Sequence, residues 1–233
     1  MTQQIQHIGI IGVGIMGSGI AQIAAQSGHT TYLYDTKDGA ALQAKNKLAE
    51  TLNKLAEKNK ITSEQAQKAI DCLIVTESLP DLKVCDLIIE AIIERLDIKQ
   101  ALMQQLEEIV PDTTILASNT SSLSVTAIAA QCRVPERVIG YHFFNPVPLM
   151  KVVEVIQGLK TDAKHVETMM QLSHAFGHRA VVAKDTPGFI VNHAGRGYGT
   201  EALKILNESV TSFSEIDRIL REGVGFKMGP FEL

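Results

Sequence analysis

His142 and Glu154 stand twelve residues apart in HFFNPVPLMKVVE, one at each end of an apolar, proline-bearing stretch. Histidine takes up and returns a proton near neutral pH. A carboxylate held against it fixes its tautomer and favours the imidazolium that forms. Such a pair suits removal of a hydroxyl proton while a hydride leaves for a nicotinamide. Residue types alone leave another use open: a core histidine bonded to backbone, with Glu154 on a solvated face.

A second group is ASNTSSLSV (Ala117–Val125), dense in hydroxyls and amides. It suits orienting a substrate or a nicotinamide, and helix capping is the competing use. A third is Gly12-Val13-Gly14-Ile15-Met16-Gly17, a GxGxxG pattern. It follows a strand and opens a helix, the context in which glycines let a pyrophosphate approach the backbone at a helix N-terminus. Asp35 lies 23 residues after Gly12, at the end of the next strand. A carboxylate there accepts from a ribose 2′-hydroxyl and repels a 2′-phosphate, so NAD is expected over NADP. Lys37 is close enough to soften that preference. His174 and His178 have i, i+4 spacing and read as a surface pair at a helix end. With no third ligand beside them and no CxxC, no metal is expected.

These residues need elements that bring them together. HIGII, TTYLYD, CLIV, DLIIEAI and TILAS are short apolar strands separated by helical stretches, including a long lysine-rich excursion over Thr36–Asp71. Strands alternating with helices predict a Rossmann-like, doubly wound α/β sheet, mostly parallel. RVIGYHFF and KVVEVI have no room for a helix between them, so they are expected to pair antiparallel at one edge. A helix near Asp162–Phe176 and a strand near Ala180–Ala183 finish this unit. KDTPGF (Lys184–Phe189) reads as a junction. The domains are therefore expected at 1–185 and 186–233, the second being the first part of an all-α domain that ends without a terminal element.

The 233 residues are 45% apolar and 21% charged, the balance of a globular protein. A net charge of −4 gives no electrostatic case for nucleic acid. No apolar run reaches the roughly 18 residues of a bilayer span, and no membrane association is expected. Three scattered cysteines fit a reduced, cytoplasmic setting.

GVGIMGSGIAQIAA, EAIIERLDIK, ASNTSSL, HFFNPVPLMKVVEV, KDTPGFIVN and GVGFKMGPFEL together resemble the L-3-hydroxyacyl-CoA dehydrogenase family, in order and over essentially the whole chain. The resemblance implies NAD-linked oxidation of a (3S)-3-hydroxyacyl-CoA to the 3-ketoacyl-CoA, as in fatty acid β-oxidation. It implies His142 as the catalytic histidine, Glu154 as its carboxylate partner and Ser121 as a contact to substrate and nicotinamide. Asn192 matches the asparagine of the helical domain that helps hold the acyl group. Glu94, Lys99 and Asn145 match cofactor-contacting positions, beside Gly12, Gly14, Ile15, Met16, Gly17 and Asp35. Thr51, in place of the expected serine, and Lys58 match contacts to coenzyme A. The resemblance also implies that the helical domain continues past Leu233 and that the complete protein is a homodimer. Gly195, Gly197 and Gly199, in the first helix of that domain, resemble the longer bacterial members that break down aromatic and dicarboxylic acyl-CoAs. Two other functions share these motifs: a non-catalytic NAD-binding protein, and a dehydrogenase of a free 3-hydroxy acid. Binding of coenzyme A separates the latter from the first reading.

Overall fold

The structure is a computed structural model, and it describes residues 3–232. One compact unit ends at Thr186 and a second begins at Pro187.

The first unit is an eight-stranded sheet. Its strands are β1 (His7–Ile11), β2 (Thr30–Tyr34), β3 (Leu73–Val75), β4 (Leu87–Glu90), β5 (Ile115–Ser118), β6 (Val138–Phe143), β7 (Val152–Gln157) and β8 (Arg179–Lys184). They lie in the order β3-β2-β1-β4-β5-β6-β7-β8. All neighbours are parallel except β6 and β7, which pair antiparallel. The central strands are apolar almost throughout because both their faces are covered. Ile8, Ile10, Leu87, Ile89, Ile115 and Ile139 have no exposed surface. Each such side chain contributes roughly 1.5–3 kcal/mol by leaving water.

Helices α1 (Ile15–Gln26), α2 (Ala40–Glu57), α3 (Ser63–Asp71), α4 (Leu96–Glu107), α5 (Val125–Ala129) and α6 (Ala163–Ala175) make the connections. The lysine-rich excursion is the hairpin of α2 and α3. α2 buries Ala41, Ala44, Leu48 and Leu52, one stripe at spacings of three and four, and turns its lysines outward. A capping box of Thr62 and Gln65 starts α3. α5 had no counterpart in the sequence reading. It is one short turn capped by Ser124, whose hydroxyl accepts from the Ala127 N–H.

His174 and His178 do not share a helix. α6 ends at Ala175, and Gly177 turns the chain with a φ of +69°. His178 is buried rather than on the surface, with its ring nitrogens each 3.0 Å from a backbone carbonyl, of Phe176 and of Val147. The glycine breaks the periodicity on which the i, i+4 reading depended.

The second unit holds α7 (Val191–Asn207) and α8 (Phe213–Glu222). Ser212 caps α8, and Asp217 accepts from the Phe231 N–H. α7 runs unbroken through Gly195, Gly197 and Gly199. Among the described residues nothing lies within 4 Å of a Cβ built at any of the three, and glycine costs about 1 kcal/mol in a helix interior against alanine.

Candidate active site

One transverse row of the sheet sets the site. Ile11 pairs with Tyr34 on one side and Glu90 on the other; Glu90 pairs with Ser118, and Ser118 with Gly140. The chain therefore leaves β1, β2, β4 and β5 at one level, with β6 running two residues further to His142. The glycine loop, Asp35, the Glu94 turn, the hydroxyl loop and His142 all belong to this carboxyl edge. The connections reverse direction between β1 and β4, the place where such sheets hold ligands.

The glycine loop is built for a close approach. Gly12 has φ +87°, and a Cβ there would come within 2.7 Å of the Ala91 carbonyl. A Cβ on Gly17 would lie 1.8 Å from the Gly12 carbonyl, so only hydrogen lets α1 start against β1. Gly14 is different: nothing lies within 4 Å of its would-be Cβ, and it lines an open cleft. Asp35 is tied to this loop, its two oxygens accepting from the Val13 and Lys37 N–H groups at 3.0 Å each. Ile15 is 76% exposed at the mouth, while Met16 packs against the core.

His142 and Glu154 face each other across the antiparallel pair, in direct register. Nδ1 lies 2.7 Å from a Glu154 oxygen, and both side chains are buried, Glu154 completely. The Phe144 ring covers the imidazole at 4.5 Å between centroids. Asn119, in the hydroxyl loop, accepts from the Phe143 N–H at 2.9 Å and so locks the end of β6 to that loop.

Glu94 organises the loop itself. One oxygen accepts from the Thr120 hydroxyl at 2.7 Å and the Ser121 N–H at 2.8 Å; Lys99 sits 3.2 Å from the other. Burial alone would raise this carboxyl. The Thr120 hydroxyl, the Ser121 N–H and the Lys99 ammonium outweigh it and hold the value down at about 2. Lys99 is itself 1% exposed and bonded to Glu90 at 2.5 Å, so the member of this pair that meets solvent is Glu94. Glu90 escaped the sequence reading, and Ser118, Asn119 and Thr120 entered it only as part of the hydroxyl loop, with no role of their own. The available signal was Glu90, a carboxylate ending an otherwise apolar strand, nine residues before a lysine.

A cleft of about 600 Å³ runs from the glycine loop and Asp35 along α2 to Asn145–Pro148. Thr51 lines it. Lys58 does not: it caps α2 two turns further on, in solvent. Asn192 is the second residue of α7, in the other unit. Among the described residues no three His, Cys, Asp or Glu side chains gather as a metal site, and no helix is long and apolar enough to cross a membrane.

Residues 7–186 match the family model for the 3-hydroxyacyl-CoA dehydrogenase NAD binding domain, and residues 188–233 match its C-terminal domain. The chain is 45% identical over its full length to 3-hydroxyadipyl-CoA dehydrogenase of Escherichia coli K12, of which it spans 49%. It is 40% identical over 98% of its length to human mitochondrial hydroxyacyl-coenzyme A dehydrogenase, spanning 75% of that protein. Among solved structures, 3-hydroxybutyryl-CoA dehydrogenase of E. coli superposes with a TM-score of 0.95 at 45% identity, over 98% of this chain and 48% of that one. The (S)-3-hydroxybutyryl-CoA dehydrogenase of Ralstonia eutropha gives 0.93 at 37%, over 97% and 80%.

Proposed function

The chain belongs to the 3-hydroxyacyl-CoA dehydrogenase family, whose first domain binds NAD, and on that premise we propose that it takes part in oxidising a (3S)-3-hydroxyacyl-CoA to the 3-ketoacyl-CoA. The observation that carries the reading is the buried His142–Glu154 pair at 2.7 Å, on the same sheet edge as the glycine loop.

The residues present fit NAD. Gly14 leaves open space, Gly12 and Gly17 permit the tight turn, and Asp35 stands where a ribose hydroxyl would donate. When bound, NAD supplies the hydride acceptor. The rest is the work of this chain. Hydride departure needs a base that takes the hydroxyl proton as the carbonyl forms. Glu154 engages Nδ1 of His142, which makes Nε2 the nitrogen for that proton. Glu154 faces the resulting imidazolium at hydrogen-bond distance in a dry place, where a charge-assisted bond is strong. Phe144 lies over the imidazole, and His142 is itself buried. Ser121, held by Glu94, and Asn192 would orient the substrate, and Thr51 in the cleft would meet coenzyme A.

The test is NADH formation from (3S)-3-hydroxybutyryl-CoA, run beside free 3-hydroxybutyrate and with NADP in place of NAD. The reading expects the thioester and NAD to be preferred. Equal or better turnover of the free acid, or of NADP, would overturn it.

A further inference from the structure

Glu90 ends β4 with no exposed surface, and its partner Lys99 is nearly as buried. An ion pair in such a place is weak evidence for stability, because apolar side chains of the same volume serve the core as well or better. What an apolar side chain cannot do is accept bonds. Glu90 accepts three, each from a different segment: the Ile92 N–H at 2.8 Å, the Ser118 hydroxyl at 2.6 Å and the Lys99 ammonium at 2.5 Å. The first lies in the turn that leads to Glu94, the second opens the hydroxyl loop, and the third comes from α4. Lys99 passes the connection on to Glu94 at 3.2 Å. Glu94 then gathers the Thr120 hydroxyl and the N–H groups and hydroxyls of Ser121 and Ser122, all on one of its oxygens. Ser118 adds a shorter route, since its hydroxyl accepts from the Thr120 N–H at 3.3 Å.

We propose that Glu90 is a positioning residue: through Lys99, Glu94 and Ser118 it fixes the loop Thr120–Ser122, and with it the placement of Ser121 for hydride transfer. The proposal rests on the dehydrogenase reading of Ser121. Two carboxylates share one cation here. Neutralising Glu90 leaves Lys99 to Glu94 alone, draws it out of its seat and takes the charged acceptor from Ser118. The loop then loses its two anchors, while the bonds that tie the glycine loop to Asp35 run through the Val13 and Lys37 N–H groups and stay as they are.

The experiment compares the 233-residue chain with Glu90→Gln and with the double variant Glu90→Gln/Lys99→Met, which removes both buried charges. Amide hydrogen exchange is read at Ser121 and Ser122 and at the glycine loop. The expected result is faster exchange in the hydroxyl loop of both variants and, in Glu90→Gln, unchanged exchange at the glycine loop and unchanged affinity for ADP-ribose. Tm should recover in the double variant, because no unpaired charge remains, whereas kcat should stay about tenfold to a hundredfold low in both, the scale of a small misplacement. Wild-type exchange in the loop of Glu90→Gln would overturn the proposal. So would a double variant that regains kcat together with Tm, since Glu90 would then act only through packing. A wild-type chain that oxidises no 3-hydroxyacyl-CoA would sink the dehydrogenase reading instead, and the exchange measurement would still decide whether Glu90 holds the loop.

Discussion

Glu94 shows how a single side chain in this site is made by its neighbours. It is half-buried, which disfavours its charge, yet donors from Thr120 and Ser121 and the ammonium of Lys99 leave its carboxyl at about 2 against an ordinary 4.5. The sign of the consequence follows. A carboxyl depressed on folding contributes stability that is complete above about 4.5 and is lost as pH falls toward 2. The hydroxyl loop should therefore keep its structure through pH 4 and loosen only in strong acid. The amide chemical shifts of Ser121 and Ser122, followed by NMR, should titrate near 2. A midpoint near 4.5 would mean that these donors do not hold Glu94. The positions of His142, Ser121 and Asp35 were legible in the sequence, because each lies at or just beyond a strand end, and the structure has them there. The roles of Glu90 and Asn119 were not legible. Their work is to accept bonds from segments remote in sequence, 28 residues away for Glu90 to Ser118 and 24 for Asn119 to Phe143, and no local pattern records that.

At the scale of elements, the turn from β1 into α1 separates two uses of glycine. Gly17 is required by the fold, since a Cβ there would collide with the Gly12 carbonyl at 1.8 Å; Gly14 borders only open space. Gly17→Ala should lower Tm and lose NAD binding with it. Gly14→Ala should fold with a Tm near wild type and yet bind NAD at least several-fold more weakly, as judged by calorimetry. Undiminished NAD binding by Gly14→Ala would show that the phosphates do not pass over this loop. The strands were readable because burial on both faces demands unbroken apolar runs, and the antiparallel turn because NPVPLM is too short for a helix. The short α5 was not readable: five residues carry too little periodicity, and Ser124 serves both as a loop hydroxyl and as a cap. His178 misled for the opposite reason. Its spacing from His174 is helical, but Gly177 with positive φ had already ended the helix.

For the whole molecule, the division at Thr186 separates tasks. The glycine loop, Asp35, Glu94 and the His142–Glu154 pair all lie in the first unit, and Asn192 lies in the second. The segment ending at Thr186 should bind NAD about as tightly as the 233-residue chain. A large loss on removing residues from Pro187 onward would mean that the helical unit completes the cofactor site. The chain spans about half the length of its E. coli relative. The account stands or falls, however, on two side chains in the first unit acting as one. Losing the base should lower kcat by roughly 10²–10⁴. The most direct test is a double-mutant cycle with His142→Gln, Glu154→Gln and the pair, reading kcat for NADH formation and, in parallel, affinity for NAD. The account predicts a large loss in each single variant, little further loss in the pair, and NAD affinity unchanged throughout, because both residues belong to one proton-handling unit outside the phosphate and ribose contacts. Logarithmic losses that simply add, or a Glu154→Gln variant that turns over like wild type, would reduce Glu154 to a buried strand carboxylate and contradict the mechanism.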